Sequence, residues 1–374
     1  MLPDPTSIGC TYPVKNLIPL YPHYFGEREK HFLSHGDFTL STFSYSSGVA
    51  GLRIRNKVGE IEALPFKGQQ IWRAEFYGRN LTMGSMFREP RATSKYMETY
   101  GAFLIHCGIT GMGAPSANDK HELHGELPNA HYQTAHLIVG EDGEGPFISL
   151  SGNYQHTVAF SHNYIAQPTF TIREGNGKIS VNMKVTNLKG SPMDVMYLGH
   201  VNFLPVSQGK IFDTIPDSPE SIRVIHVFEE IYKESSNYRE MIDGFKKDPA
   251  SHRYFDPTGV IDPEVVFALT PHADASGWAT TLQLHPNGAG DYVRHQPDQF
   301  KNSLRWICRS KDQQALGLLL PSTAEPSGYQ AEKAKGNLLS LPVGGSMNFD
   351  YECGALTEEE SARALIEIEK VRKM

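Results

Sequence analysis

The segment PTFTIREGNGKISVNMKVTN, residues 168–187, alternates apolar and polar residues on both sides of Gly175-Asn176-Gly177. A period of two places Phe170 and Ile172, then Ile179, Val181, Met183 and Val185, on one face of an extended chain. The glycines and asparagine between the runs supply the positive φ of a tight turn, so the segment reads as a β-hairpin. HYQTAHLIVGEDGEGPFISLSGNY repeats the pattern, with residues 141–145 as the connection. GWATTLQLHP, NSLRWICRS, ALGLLLPST and SMNFDYECGAL carry it to the C-terminal part of the chain. With 34 glycines and 24 prolines in 374 residues and no βαβ alternation, the pattern predicts an all-β fold, a large antiparallel β-sandwich.

Two stretches depart from the alternation. Residues 218–248 carry apolar residues at helical spacing and predict a helical insertion. Residues 357–374 begin with Thr357 and place Glu360 three positions on, a capping box. Early acids and late lysines and arginines suit the helix dipole there, so a C-terminal helix is expected. No low-complexity linker divides the chain. Residues 1–374 read as one domain, with an N-terminal extension and strands in 1–60.

Thirty-five Lys and Arg against 42 Asp and Glu give a formal charge of −7. That balance disfavours a nucleic-acid partner, which calls for a basic stripe. No apolar run approaches the roughly 20 residues of a membrane span. MLPDPTSIGCTYPVK lacks a charged start followed by an apolar core, so no secretory signal is expected. Cys10, Cys107, Cys308 and Cys353 form no CxxC pair and read as free thiols of a reducing compartment. The expected location is cytoplasmic.

The polar stretch NDKHELHGELPNAHYQ, residues 118–133, raises the question of a metal. His121, Glu122 and His124 form H-E-x-H, without the four-residue repeat that stacks two ligands on a helix. Gly125 and Pro128 oppose a helix there, and nothing else fixes ligand geometry, so no metal is expected. GITGMGAP lacks the GxGxxG spacing, and no phosphate-binding GxxxxGK[ST] is present. VMYLGHVNFLP, residues 195–205, sets His200 within an apolar run, where a satisfied core histidine is the ordinary reading. LLLPSTAEPSGYQ, residues 318–330, sets Glu325 just after an apolar strand.

Taken in order, Leu123-His124-Gly125-Glu126, His200-Val201-Asn202-Phe203 and Ala324-Glu325-Pro326-Ser327 resemble the aldose 1-epimerase (galactose mutarotase) superfamily, and more closely its divergent uncharacterised branch. GQQIWRAEFYGRNL (68–81) and TYGAFLIHCG (99–108) look like strands of that branch, and the similarity spans roughly residues 60–356. The resemblance implies a β-sandwich with a concave sugar-binding face. It implies interconversion of α and β anomers through the open-chain sugar, with no cofactor. Carried over by position, Glu325 is the base on the anomeric hydroxyl, His200 the acid on the ring oxygen and His124 the assisting histidine. Arg79, with Arg73 as the alternative, would bind the sugar. Glu264 or Asp262 would stand for the family's sugar-binding aspartate, Glu126 would orient His124 or touch the sugar, and Asn202 would bind the sugar. The chain departs from the family pattern before His200, where Gly199 replaces an asparagine and Pro192 lies further upstream.

Removing the C1 hydroxyl proton while protonating the ring oxygen needs an acid and a base with pKa values near working pH. A histidine is there already, and a partly buried glutamate can be raised toward it. A sugar also needs aromatic faces, for which Tyr77, Phe103, Tyr132, Tyr154 and Trp306 are available. The expected partner is a small-molecule sugar, bound by a monomer or homodimer. The alternatives are a non-catalytic carbohydrate-binding protein, a metal-dependent cupin-like sugar isomerase built on His121, His124 and Glu126, and a sugar-phosphate epimerase.

Overall fold

A computed structural model describes residues 15–226, 228–256 and 258–373. The predicted hairpin forms: His162–Arg173 pairs antiparallel with Lys178–Asn187, Ile172 facing Ile179, and Gly175 takes a φ of +68°. Ile179, Val181, Met183 and Val185 are all buried. The hairpin belongs to a nine-stranded sheet that runs from Lys15–Leu20 at one edge to Lys210–Asp213 at the other. A second nine-stranded sheet runs from Lys30–His35 to Leu339–Leu341, and Ile222–His226, Ile261–Leu269, Ser303–Arg309 and Gln314–Leu320 make a smaller third sheet. The strand pairings among the described residues are antiparallel.

Leu40, Leu52, Ile54 and Ile61 of the second sheet and Leu137, Ile148, Leu150 and Phe170 of the first share one core, which is the sandwich. The second sheet is also covered on its other face. Leu104–Ile109 is buried at every position, and Met193–Val201 at all but Asp194. Strands covered on both sides need near-continuous apolar sequence, which LIHCGI and VMYLGHV provide. Val195, Tyr197 and Val201 enter the sandwich core. Met196 and Leu198 pack with Ile105 and Cys107 against Val266, Ala268, Leu304, Trp306 and Leu320 of the small sheet.

The stretch 218–248 is only partly helical. Glu229–Glu234 and Ser236–Lys247 are helices, but Ile222–His226 is a strand paired with Ile261–Leu269. Three β-branched residues in IRVIH favour the pleated surface once a partner edge is offered. The longer helix packs behind the small sheet, with Tyr238 and Ile242 buried and Phe245 edge-on to Phe267 at 5.5 Å. The C-terminal helix, Glu358–Arg372, has the capping box expected of Thr357 and Glu360. Cys107, Cys308 and Cys353 are buried and unpaired, while Cys10 lies outside the described residues.

A buried ion cluster holds the small sheet in place. Arg305 and Asp213, both fully buried, meet at 3.0 Å, and Arg253 joins Asp213 at 2.7 Å. The Arg305 Nε–H donates to the Leu318 carbonyl at 2.8 Å. Burial would raise the Asp213 carboxyl, but Arg305 and Arg253 hold it below the ordinary range. Burial pushes Arg305 down to about 10 despite Asp213. Asp213→Asn leaves a buried guanidinium without its full countercharge, so urea denaturation is expected to show a loss of about 3–5 kcal/mol. Since the folded carboxyl is the more acidic, the wild type holds this contribution above the ordinary carboxylate range near pH 4. It loses it as pH falls through the lower folded value. A variant within about 1 kcal/mol of wild type would remove the cluster from this role.

Candidate active site

Alternation along Met193–Val201 places His200 on the same face as Met196 and Leu198, toward the small sheet. There a cavity of about 370 Å³ opens, lined by His124, His200, Glu264, Tyr96, Tyr100 and Trp306, with aliphatic side chains between them. The His124 and His200 rings lie 5.6 Å apart and nearly perpendicular. Trp306 stands edge-on to His200 at 5.4 Å and Tyr100 at 6.0 Å.

His200 is fixed by the residue two positions on. The Asn202 amide NH₂ donates to the Ala102 carbonyl at 3.0 Å, which turns its oxygen toward His200 Nδ1 at 2.6 Å. Nδ1 therefore carries the proton, and in the neutral ring the other nitrogen, Nε2, is the acceptor. Burial pulls the His200 pKa down to about 4, with the Asn202 hydrogen bond opposing it. Asn202 thus positions a histidine rather than lining the cavity.

His124 sits on a loop that folds back on the sheet. Its carbonyl accepts from Gly108 N–H at 2.9 Å and its N–H donates to the Gly113 carbonyl at 3.0 Å. Its φ is +61°, a conformation that costs a non-glycine residue on the order of 1–3 kcal/mol and concentrates at functional sites. The loop has no room to relax: a Cβ at Gly113 would lie 2.2 Å from the Pro326 backbone, and one at Gly125 2.3 Å from the Gly111 carbonyl. Burial first, then the His200 and His121 charges, lowers the His124 pKa to about 3. Its Nδ1 is buried and makes no hydrogen bond among the described residues.

Glu325 follows a segment, 321–324, that lies along the His200 strand. Gly199 N–H donates to the Pro321 carbonyl at 2.9 Å, and Thr323 exchanges two hydrogen bonds with Tyr197. Pro326, the next residue, lines the cavity. The Glu325 carboxylate accepts from Arg223 at 2.5 Å and Lys335 at 2.7 Å, while its N–H donates to the fully buried Glu332 at 2.9 Å. Lys335 also reaches Glu332 at 2.7 Å. Burial works to raise the Glu325 pKa, but Lys335 and Arg223 together lower it. The expectation of a raised carboxyl is thus corrected: two cations, Lys335 from the helix just downstream and Arg223 from a distant strand, outweigh burial.

Glu264 enters the cavity, where it accepts from the Trp306 indole N–H at 2.6 Å. Asp262, the alternative carboxylate, is exposed outside it. Neither arginine lines the cavity. Arg79 donates to the Gly290 and Leu356 carbonyls of the first sheet, at 3.1 and 3.3 Å. Arg73 donates to the Gly101 and Phe87 carbonyls and stacks over Trp72. Glu126 caps a turn instead, accepting from Thr110 N–H at 3.0 Å and the Tyr164 hydroxyl at 2.5 Å, and it faces a separate cleft of about 650 Å³ on the far side of the loop. His121 lines that cleft and accepts from Tyr329 N–H at 3.2 Å, while His131 is exposed. Of the aromatic candidates Trp306 alone is a lining residue. Among the described residues no group of three or more His, Cys, Asp or Glu side chains is placed to hold a metal ion. Arg223, Lys335 and Glu332 went unread in the sequence because solvated charges and ion-pair partners look alike there.

The departure before His200 has a physical cause. A Cβ at Gly199 would lie 2.7 Å from the Tyr351 ring, so the ring occupies the space another side chain would need. The three sheets form a galactose mutarotase-like β-sandwich fold. It matches a candidate aldose 1-epimerase from Klebsiella pneumoniae at a TM-score of 0.81 and 16% identity, with 96% of each chain covered. It also matches a galactose mutarotase-like protein from Clostridium acetobutylicum at a TM-score of 0.56 and 12% identity, covering 85% of this chain and 98% of that one. Residues 46–354 match the model of a family described as a domain of unknown function, DUF4432, and the chain belongs to that family. No curated protein sequence matches it.

Lys335→Met removes one of the two cations on Glu325. The Glu325 carboxyl pKa, followed by carbon-detected NMR titration, is expected to rise toward the ordinary glutamate value, and less so in Arg223→Met because Lys335 lowers it more than Arg223 does. An unchanged titration in both variants would contradict the paired geometry.

Proposed function

We propose that the protein is an aldose 1-epimerase-type isomerase that exchanges the anomers of a neutral sugar by acid–base catalysis. The observation that carries this is the meeting of two buried histidines and Glu264 in one monosaccharide-sized cavity; Glu325 is not itself a lining residue but directly precedes Pro326, which is. Glu325 takes the proton from the anomeric hydroxyl. As the C1–O1 bond becomes a carbonyl, the C1–O5 bond breaks and His200 gives a proton to O5. Rotation about C1–C2 presents the other carbonyl face, and the transfers reverse. His124 hydrogen-bonds the reacting oxygens, and Glu264 with Trp306 holds sugar hydroxyls and the ring face.

Charge counting favours a neutral sugar over a phosphate ester. No lysine or arginine is among the described lining residues. Arg223 and Lys335, the cations beside Glu325, are already matched by Glu325 and Glu332. The cytoplasmic location stays part of this reading; no helix of the described residues is long and apolar enough to cross a membrane.

Saturation-transfer NMR across a panel of aldoses is expected to show accelerated exchange for at least one. Glu325→Gln should reduce it about 10²–10⁴-fold, the usual scale for losing a general base. Binding without acceleration for any sugar would move the protein to the non-catalytic carbohydrate-binding reading.

The pH profile tests the role of His200 separately. Its proton must be loaded on Nε2, and with a pKa near 4 the protonated fraction falls as pH rises. Glu325, lowered by its cations, stays ionised over the same range. The expected kcat/KM therefore declines roughly tenfold per unit between about pH 5 and 8. A flat profile would make His200 the proton acceptor instead.

A further inference from the structure

We infer that Glu332 is a positioning residue for Glu325: its buried carboxylate fixes where the base sits and shares the Lys335 countercharge with it. The inference rests on the proposed function and concerns the same site. Glu332 lines neither the cavity nor the separate cleft, so it acts only through its neighbours.

Glu332 lies in the helix Tyr329–Lys335 and is fully buried. A glutamate is seldom buried completely, and it stays so only with donors for its oxygens. Here it has three. The Glu325 N–H donates to Oε2 at 2.9 Å, and the Asn337 amide NH₂ donates to the same oxygen at 2.7 Å. Lys335 Nζ donates to Oε1 at 2.7 Å and also to the Glu325 carboxylate at 2.7 Å. Glu332 therefore holds Glu325 twice, at the backbone directly and at the carboxylate through Lys335.

The backbone around Glu332 is shaped to the same end. Gly336 ends the helix in the left-handed conformation, with a φ of +76°, and turns Asn337 back toward Glu332. A helix of seven residues is marginal by itself, so contacts at its two ends hold it. At the first turn the Gln330 N–H donates to Asp119 at 2.9 Å, and the Tyr329 N–H donates to His121 Nε2 at 3.2 Å. Asp119 and His121 belong to the loop that carries His124. One short helix thus braces the His124 loop at one end and Glu325 at the other.

Charge sharing gives the position its chemical consequence. Glu325 and Glu332 divide two cations, Arg223 and Lys335. With Glu332 uncharged, Lys335 would turn its whole charge on Glu325. A base that must accept the proton of the anomeric hydroxyl weakens as unshared positive charge gathers beside it.

The test is Glu332→Gln, which keeps the shape and removes the charge. The Glu325 carboxyl, followed by carbon-detected NMR titration, is expected to fall further below the ordinary glutamate value. For an aldose that the wild type turns over, kcat should drop on the order of tenfold with KM close to the wild-type value, short of the 10²–10⁴-fold loss of the base itself. Glu332→Asp, which keeps the charge, should recover part of both. A Glu332 that merely props the helix would lower stability and leave the Glu325 titration where it is; that result would overturn the inference while leaving the isomerase reading intact. Should Glu332→Gln fail to fold, the wild type answers by amide hydrogen exchange. The Glu325 N–H is expected to be protected like the strand amides beside it, and an open-loop rate there would overturn the inference. No anomer exchange by the wild type on any aldose would overturn the isomerase reading and, with it, the role assigned to Glu332.

Discussion

Burying Arg305 against Asp213 is the interaction on which the site depends. A guanidinium in the interior is tolerated only with a countercharge and satisfied donors, and the sequence supplies these from two separate places. Asp213 ends the edge strand Lys210–Asp213 of the first sheet, and Leu318 lies in the neighbouring strand of the small sheet. Arg305 therefore ties the small sheet to the sandwich edge. Its neighbour Trp306 points the other way along the alternating strand, into the cavity. One residue step separates the anchor from the cavity wall.

With the small sheet docked, the second large sheet is a middle layer, and its strands carry different duties on their two faces. Tyr197 and Val201 fill the sandwich, while Leu198 and His200 face the cavity. A slip of one residue in this strand would exchange the two sets, so the register Leu198↔Cys107 and His200↔Ile105 fixes the site as firmly as it fixes the core. Gly199 is the point where both demands meet, since the Tyr351 ring takes the space beside it.

The two sides of the site hold their polar groups by different means. His200 and His124 are kept neutral by burial, one with its tautomer set by Asn202 and the other on a strained loop. Glu325 is kept ionised by Lys335 and Arg223, and Glu332 balances the extra cation. These environments leave an ionised carboxylate and two neutral imidazoles, so His200 can donate from Nε2 only in its protonated fraction.

Much of the fold was legible because alternation and turn chemistry are local. The 168–187 hairpin, the Thr357 cap and the all-β class follow from neighbouring residues, and so did the candidacy of His124, His200 and Glu325 through three short motifs. Residues 222–226 were misread as helix because the edge that pairs with them lies some forty residues on. Arg79, Arg73 and Glu126 were nominated through the family resemblance, but backbone carbonyls and a turn engage them. Tertiary structure alone brought Arg223 to Glu325, and Glu264 and Trp306 to the histidines, whereas Glu332 and Lys335 reach Glu325 from the helix just downstream. The sequence by itself determined which segments alternate and which side chains can titrate. Which of those side chains share a cavity, and in which charge state, was decided by packing, because burial and ion pairing depend on contacts between residues distant along the chain.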